Sequence, residues 1–204
     1  MKKNILKTEG FKCVVVLVLI TVLMCGLLAV LNDVLYVTPE ERLNRAVESV
    51  YGKSVEAEEL TIDNERAETT MGRVEKLYAF TDEGVYYELM QTTGLNGYKN
   101  GTVTMWVLVC FEGDVPVTIR NVQVDSNEKQ TLMSSFGSDF YQKYTSLTRD
   151  QLENGTLFKT GTSYDDESIP VSAVTQVVSG ATRSSNAMNN AVNTAILYYW
   201  GDLT

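Results

Sequence analysis

The chain has 204 residues, of which 26 are acidic, 17 basic and none histidine, for a net charge of -9. Without histidine there is no Ser-His-Asp or Cys-His pair, no imidazole general base and no histidine-held zinc or haem, so any chemistry falls to carboxylates, hydroxyls, lysine or a borrowed cofactor. The acidic balance argues against nucleic acid as a partner, and 44% apolar with 21% charged residues describes a globular chain with a sizeable core.

Residues 13–31, CVVVLVLITVLMCGLLAVL, run uncharged for nineteen positions, close to the roughly 20 that a helix needs to cross a bilayer. Lys2, Lys3, Lys7 and Lys12 precede this run, which predicts a cytoplasmic N-terminus with the remainder of the chain outside. A cleaved signal peptide has a shorter apolar core of about 7 to 15 residues and ends at small residues. No such site is present, and Met24 stands before Cys25 where a lipoprotein-like signal would need a small residue. The segment therefore reads as an uncleaved anchor. Residues 1–31 hold four Lys and one Glu, so residues 32–204 carry 13 basic and 25 acidic side chains, a net charge of -12. Cys110 is the only thiol beyond the anchor, so no disulfide can form there. Its setting in TVTMWVLVCFE suggests a buried, inert group.

Thr38-Pro39-Glu40-Glu41 has the form of a helix start, with Thr38 as cap and Glu41 at the capping-box position. Leu43, Ala46, Val47 and Val50 follow at helical spacing and Gly52 stops the run, giving a helix that links anchor to domain. Between residues 54 and 73 only a short strand near Leu60 and Ile62 can be placed. RVEKLYAF and VYYELMQT, joined by Thr81-Asp82-Glu83-Gly84, predict a hairpin. TVTMWVLVCFE and VPVTIRNVQVDS, joined at Gly113-Asp114, predict a second. Short helices are expected over Ser138–Tyr144 and 148–153, and a further strand over 171–178. A last helix is expected over about 184–199, with Met188, Ala191, Val192, Ala195, Ile196 and Tyr199 forming a stripe against the sheet. The fold class is α+β, an antiparallel sheet with flanking helices preceded by one transmembrane helix. Residues 1–31 form the tip and anchor, 32–53 the link, and 54–204 the extracytoplasmic domain.

Chemistry concentrates in VTQVVSGATRSSNAMNN. Ser179, Thr182, Ser184 and Ser185 set hydroxyls around a helix N-terminus, where open amides and the helix dipole favour an anion such as phosphate. Gly180 permits close backbone approach, Ala181 removes bulk and Arg183 offers a countercharge. The plainer alternative is a helix start with a surplus of capping residues.

Ser179-Gly180-Ala181-Thr182, with Ser184 two positions on, resembles the [ST]-G-A-T-x-[ST] signature of the FMN-binding domain family. The anchor, the α+β domain and the late position of the motif are also similar to that family, as is the turn made by Gly97-Tyr98 and Gly101 ahead of a strand. The resemblance implies FMN joined to Thr182 by a phosphoester, with Ser179, Gly180, Ala181 and Ser184 shaping the phosphate site and Arg183 either neutralising it or facing solvent. It implies an electron-transfer subunit of an ion-translocating oxidoreductase complex of the Rnf type, not an autonomous enzyme. Its partners would be other membrane subunits and a flavin transferase drawing on FAD. A stand-alone FMN carrier and a flavin-free homologue are the alternatives. Two positions depart from the family pattern. Gln176 stands six residues before Thr182 where the family commonly has aspartate, and Gln130-Thr131-Leu132-Met133-Ser134-Ser135 stands where relatives carry a stretch like E-T-P-G-L-G. No ring-contacting residue follows from the resemblance.

Two Asn-Gly-Thr strings, at Asn100 and Asn154, match the glycosylation pattern but read as turns, and Asp165-Asp166-Glu167 reads as a solvated loop in preference to a cation site.

Overall fold

A computed structural model describes residues 9–35 and 38–201, which fall into two units dividing between Arg42 and Leu43. In the first, α1 (Glu9–Leu35) carries uncharged residues on every side over 13–31, and Phe11–Asn32 is long and apolar enough to cross a membrane. The hydroxyl of Thr21 is returned to the carbonyl of Leu17 at 2.9 Å, so it places no open donor on the apolar surface. Lys2, Lys3 and Lys7, on which the orientation reading rests, lie outside the described residues. The helix α2 (Pro39–Tyr51) begins as its sequence suggests: the amide of Glu41 donates to Thr38 Oγ1 at 3.1 Å. It ends at Gly52, left-handed at φ 87°, whose amide reaches the carbonyl of Glu48.

The second unit is built on one antiparallel sheet of five strands in sequence order: β1 (Glu58–Glu59), β2 (Gly72–Asp82), β3 (Val85–Gly94), β4 (Val103–Glu112) and β5 (Val115–Ser126). The β2–β3 connection turns through Glu83 and Gly84, both at positive φ, the pairing that two-residue hairpins require. Both expected hairpins are present, and the short strand near Leu60 falls at Glu58–Glu59.

Both sheet faces are covered. Ala46, Val47 and Val50 of α2 pack with Tyr78, Phe80, Leu89, Trp106 and Leu108 on one side. Met90, Met105, Val107, Val109 and Phe111 point to the other side, into the main core. Two-sided burial explains why β4 reads as a nearly continuous apolar run with little alternation. Cys110 is half buried on β4, and burial pushes its thiol pKa up, which keeps it protonated and unreactive.

The main core is closed by α3 (Ser138–Tyr144), α4 (Arg149–Glu153) and α5 (Thr182–Trp200). Thr148 caps α4 with a complete capping box, exchanging bonds with Gln151. The strand expected over 171–178 shrinks to β7 (Val174–Thr175), which pairs in parallel with β6 (Phe158–Lys159). Turn bonds compete for its backbone: the amide of Ala173 goes to Pro170 O at 3.0 Å, while Val171 is 93% exposed.

The final helix departs most from expectation. It starts at Thr182, and every residue from Ser184 to Ile196 is buried: the expected stripe of Met188, Ala191, Val192, Ala195 and Ile196 enters the main core, and the polar residues beside it are buried as well. Its polar residues do the work of missing strand partners. Asn193 accepts from Phe158 N and donates to Phe158 O, both at 2.8 Å. Asn189 donates to Gln176 O at 2.8 Å and accepts from Tyr144 Oη, while Asn190 donates to Leu95 O at 3.0 Å. Carboxamides thereby satisfy backbone groups of loops and of the outer side of β6 that no neighbouring strand bonds.

Candidate functional site

The approach to α5 is fastened from below. Gln176 is fully buried, donates from Nε2 to Phe140 O at 2.6 Å, and receives Asn189 on its own carbonyl. Two residues on, the amide of Val178 donates to Ser185 Oγ at 3.0 Å. The chain then reverses at Gly180, whose φ of 83° lies in the left-handed region. A Cβ there would meet nothing within 4 Å, so conformation, not crowding, calls for glycine.

The helix cap is Ala181, which has no side-chain oxygen, and no side chain caps the first turn or supplies an acid to it. The nearby hydroxyls are committed elsewhere: Ser185 to Val178 and to Ala181 O, and Ser184 to Gln130 Oε1 at 2.8 Å. Capping therefore does not account for them, and the leading amides of α5 stay open to an anion. The hydroxyl of Thr182 is half buried and makes no hydrogen bond among the described residues.

These groups face a cavity of about 420 Å³, within the roughly 300–1,000 Å³ usual for ligand sites. Gly180, Ala181, Thr182, Arg183 and Ser184 form one side, and Tyr98, Thr131, Leu132 and Tyr164 form the rest. The structure thus gathers five of the seven residues singled out in the sequence, while Ser179 is exposed and Ser185 is buried, both outside the lining. The guanidinium of Arg183 lies over the ring of Tyr164 at 4.3 Å and forms no ion pair among the described residues.

One buried residue ties the two sides together. Gln130 accepts from Ser184 Oγ and from the amide of Tyr98 at 3.0 Å, and its Nε2 donates to Glu128 O at 2.8 Å. Gly97 and Gly101 make room for it, since a Cβ on either would come within 2.6 and 2.8 Å of Gln130 Nε2. The glycine-tyrosine turn is thus a socket for Gln130 that carries Tyr98 to the cavity. Sequence reasoning singled out the turn but not Gln130, Leu132 or Tyr164 as parts of the site. The paired glycines were the available signal for Gln130; Tyr164 gave none.

The acidic run after β6 is a brace. Asp165 accepts from Thr160, Gly161 and Thr162, and Asp166 accepts from Ser168. Among the described residues no group of three His, Cys, Asp or Glu side chains is placed to hold a metal ion. Asn154 sits in the turn that ends α4, as its sequence suggests, while Asn100 closes a single 3-10 turn over Tyr98–Asn100.

Residues 97–197 match the FMN-binding domain family. The matched stretch runs from the Gln130 socket through α5 and takes in every residue that lines the cavity. No curated protein and no solved structure gives a match to the chain. The donor set suits FMN: open helix amides and a guanidinium for the phosphate, an unbonded hydroxyl beside them, and Tyr98, Leu132 and Tyr164 as walls for a flat ring. Gln176, at the position where FMN-binding domains commonly have aspartate, lies in the support beneath the cavity and not in its lining. Its bond to Phe140 O needs a donor, which a carboxylate lacks.

Proposed function

We propose that this chain is a membrane-anchored electron-transfer subunit carrying FMN as a phosphoester on Thr182, in an ion-translocating oxidoreductase complex of the Rnf type. What carries the reading is the unbonded Thr182 hydroxyl on the uncapped first turn of α5, facing a cavity inside the stretch that matches FMN-binding domains.

Each part of the chain has a task. Thr182 offers the oxygen that takes the phosphoester. The leading amides of α5 and the positive end of its dipole hold the phosphate, and Arg183 offsets its remaining charge. Gly180 supplies the left-handed step that brings Thr182 to the cavity, Ala181 keeps the approach narrow, and Ser184 is held by Gln130. Ser179 is the first central residue of the turn, and its exposed side chain lies outside the lining, so it contributes its backbone only. Tyr98, Leu132 and Tyr164 shield the ring from water. The flavin, when bound, supplies the electron transfer, which fits a chain that lacks histidine for proton work.

Residues 1–31 serve as cytoplasmic tip and anchor, 32–53 as the link and 54–204 as the extracytoplasmic domain. Other membrane subunits are its partners, and a flavin transferase drawing on FAD makes the attachment: the Thr182 oxygen bonds to the FMN phosphorus, the pyrophosphate bond of FAD breaks, and AMP leaves with the hydroxyl proton released. Co-expression with such a transferase is expected to give a protein that fluoresces on a denaturing gel and gains the mass of one FMN moiety, with both signals lost in Thr182→Val. An unmodified intact mass would sink the proposal. Isolation from native membranes separates a complex subunit from a stand-alone carrier: co-migrating membrane subunits are expected, and a flavin-bearing monomer would point to the carrier.

A further inference from the structure

The loop after β6 is held more firmly than a solvated acidic loop requires. Asp165 gathers Thr160 N, Thr160 Oγ1 and Gly161 N at 2.7 Å and Thr162 N at 3.1 Å. Four donors on one carboxylate leave residues 160–165 little freedom. The side chain fixed by this arrangement is Tyr164, which is 42% exposed and so is not there to fill the core.

Its ring instead lies 4.3 Å from the guanidinium carbon of Arg183, and both residues line the cavity with Thr182. Arg183 has no hydrogen bond or ion pair among the described residues beyond this ring contact. An arginine pinned by a carboxylate would have its charge and its donors spent. One pinned by a ring keeps all five N–H groups for another acceptor. It has also given up part of its side-chain freedom beforehand, so an incoming anion meets a lower ordering cost.

We propose that Tyr164, set by the Asp165-braced loop, is a positioning residue that holds Arg183 ready for the phosphate of the flavin. This inference rests on the flavin reading of Thr182. Tyr164 acts through Arg183 and so governs selection of the phosphate end of the ligand, not of its ring alone.

The test compares two ligands that differ only in that end. Full-length, unmodified chain in detergent is titrated with FMN and with riboflavin, which has the same ring and no phosphate, following flavin fluorescence. The wild type is expected to bind FMN about tenfold or more tightly than riboflavin, the scale of one charge-assisted contact. Tyr164→Leu is expected to remove most of that ratio, as is Arg183→Gln, while Tyr164→Phe keeps it because the ring remains. Asp165→Asn is expected to lower the ratio by loosening the loop. The Nε–Hε NMR signal of Arg183 is expected to move in Tyr164→Leu and to stay in Tyr164→Phe, which a general loss of stability would not produce. Equal binding of the two ligands by the wild type overturns the inference, as does an unchanged ratio in Tyr164→Leu. If neither compound binds and Thr182 stays unmodified after co-expression with the transferase, the flavin reading itself has failed. If flavin is attached but the Tyr164 variants behave as wild type, only the positioning role has failed.

Discussion

Replacing Gln130 with leucine tests whether the two sides of the cavity are held as one unit. Gln130 is 8% exposed and makes three bonds of 2.8 to 3.0 Å, to Ser184 Oγ, Tyr98 N and Glu128 O. Leucine is close in size, so no large void opens and the cost lies in the lost bonds. Tyr98 and Glu128 lie at the surface, where water can replace the lost partner, at about 1 kcal/mol each. Ser184 is 3% exposed, and stranding its hydroxyl adds about 1 to 2 kcal/mol. The expected destabilisation is therefore about 3 to 4 kcal/mol. Urea unfolding of the full chain in detergent, followed through Trp106 and Trp200, should show a lower midpoint at an unchanged slope. A double-mutant cycle then isolates the bond across the cavity. Ser184→Ala should cost about 1 kcal/mol in the wild type and should recover about 1 to 2 kcal/mol once Gln130 is leucine, because it removes the stranded hydroxyl. Flavin attachment should fall in step, since Tyr98 and Ser184 no longer share an anchor. Additive costs for the two substitutions would refute the coupling, and an unchanged midpoint would refute the role of Gln130 altogether.

Asn193→Leu should be more damaging, by about 3 to 5 kcal/mol, because it strands both backbone groups of the fully buried Phe158; faster exchange of the Phe158 amide is the direct readout, and retained protection would contradict the bond. Gly180→Ala should cost about 1 kcal/mol from its φ of 83° alone and should slow flavin attachment; attachment at the wild-type rate would show that the left-handed turn is not needed. Burial and the neighbouring Glu88 push Tyr86 up to about 12, and burial holds Tyr144 and Tyr199 well above the usual tyrosine value. Because the folded pKa values are raised while the unfolded chain ionises near pH ~10, this stability is fully present below pH ~10 and is lost as pH rises further. A spectrophotometric titration should show a delayed class of tyrosines that ionise together with unfolding, and a single transition near pH ~10 with the fold intact would contradict it.

The hairpins were legible because their turns and strand periods are local signals. Glu83-Gly84 accepts positive φ, and the flanking strands supply the apolar residues that cover two cores. The strand over 171–178 was not legible in the same way. Its apolar residues look strand-like, but only the amides of Val174 and Gln176 join β6, while the amide of Ala173 goes to a turn and the carbonyl of Gln176 to Asn189 of a distant helix, which no local pattern reveals. For α5 the apolar positions were readable, yet nothing in the sequence marks Asn189, Asn190 and Asn193 as buried. They are buried because the loops beside them need donors and acceptors, a requirement set by tertiary structure. In the site, residues 180–184 were adjacent in sequence and so visible together. Gln130 and Tyr164 join them only through the fold.

The same asparagines account for the open N-terminus of α5. A helix that begins at Ala181 forgoes a side-chain cap worth about 1 kcal/mol. An isolated helix would fray there, and a frayed first turn could not hold a phosphate. Here the helix is buried from Ser184 to Ile196, and Asn186, Asn189, Asn190 and Asn193 tie it to backbone groups along its length. The first turn is therefore held from behind by packing and not by a cap in front. Stability placed in the body of the helix frees its end for a ligand, and the capping role that Ser and Thr would ordinarily fill is the one this helix start leaves vacant.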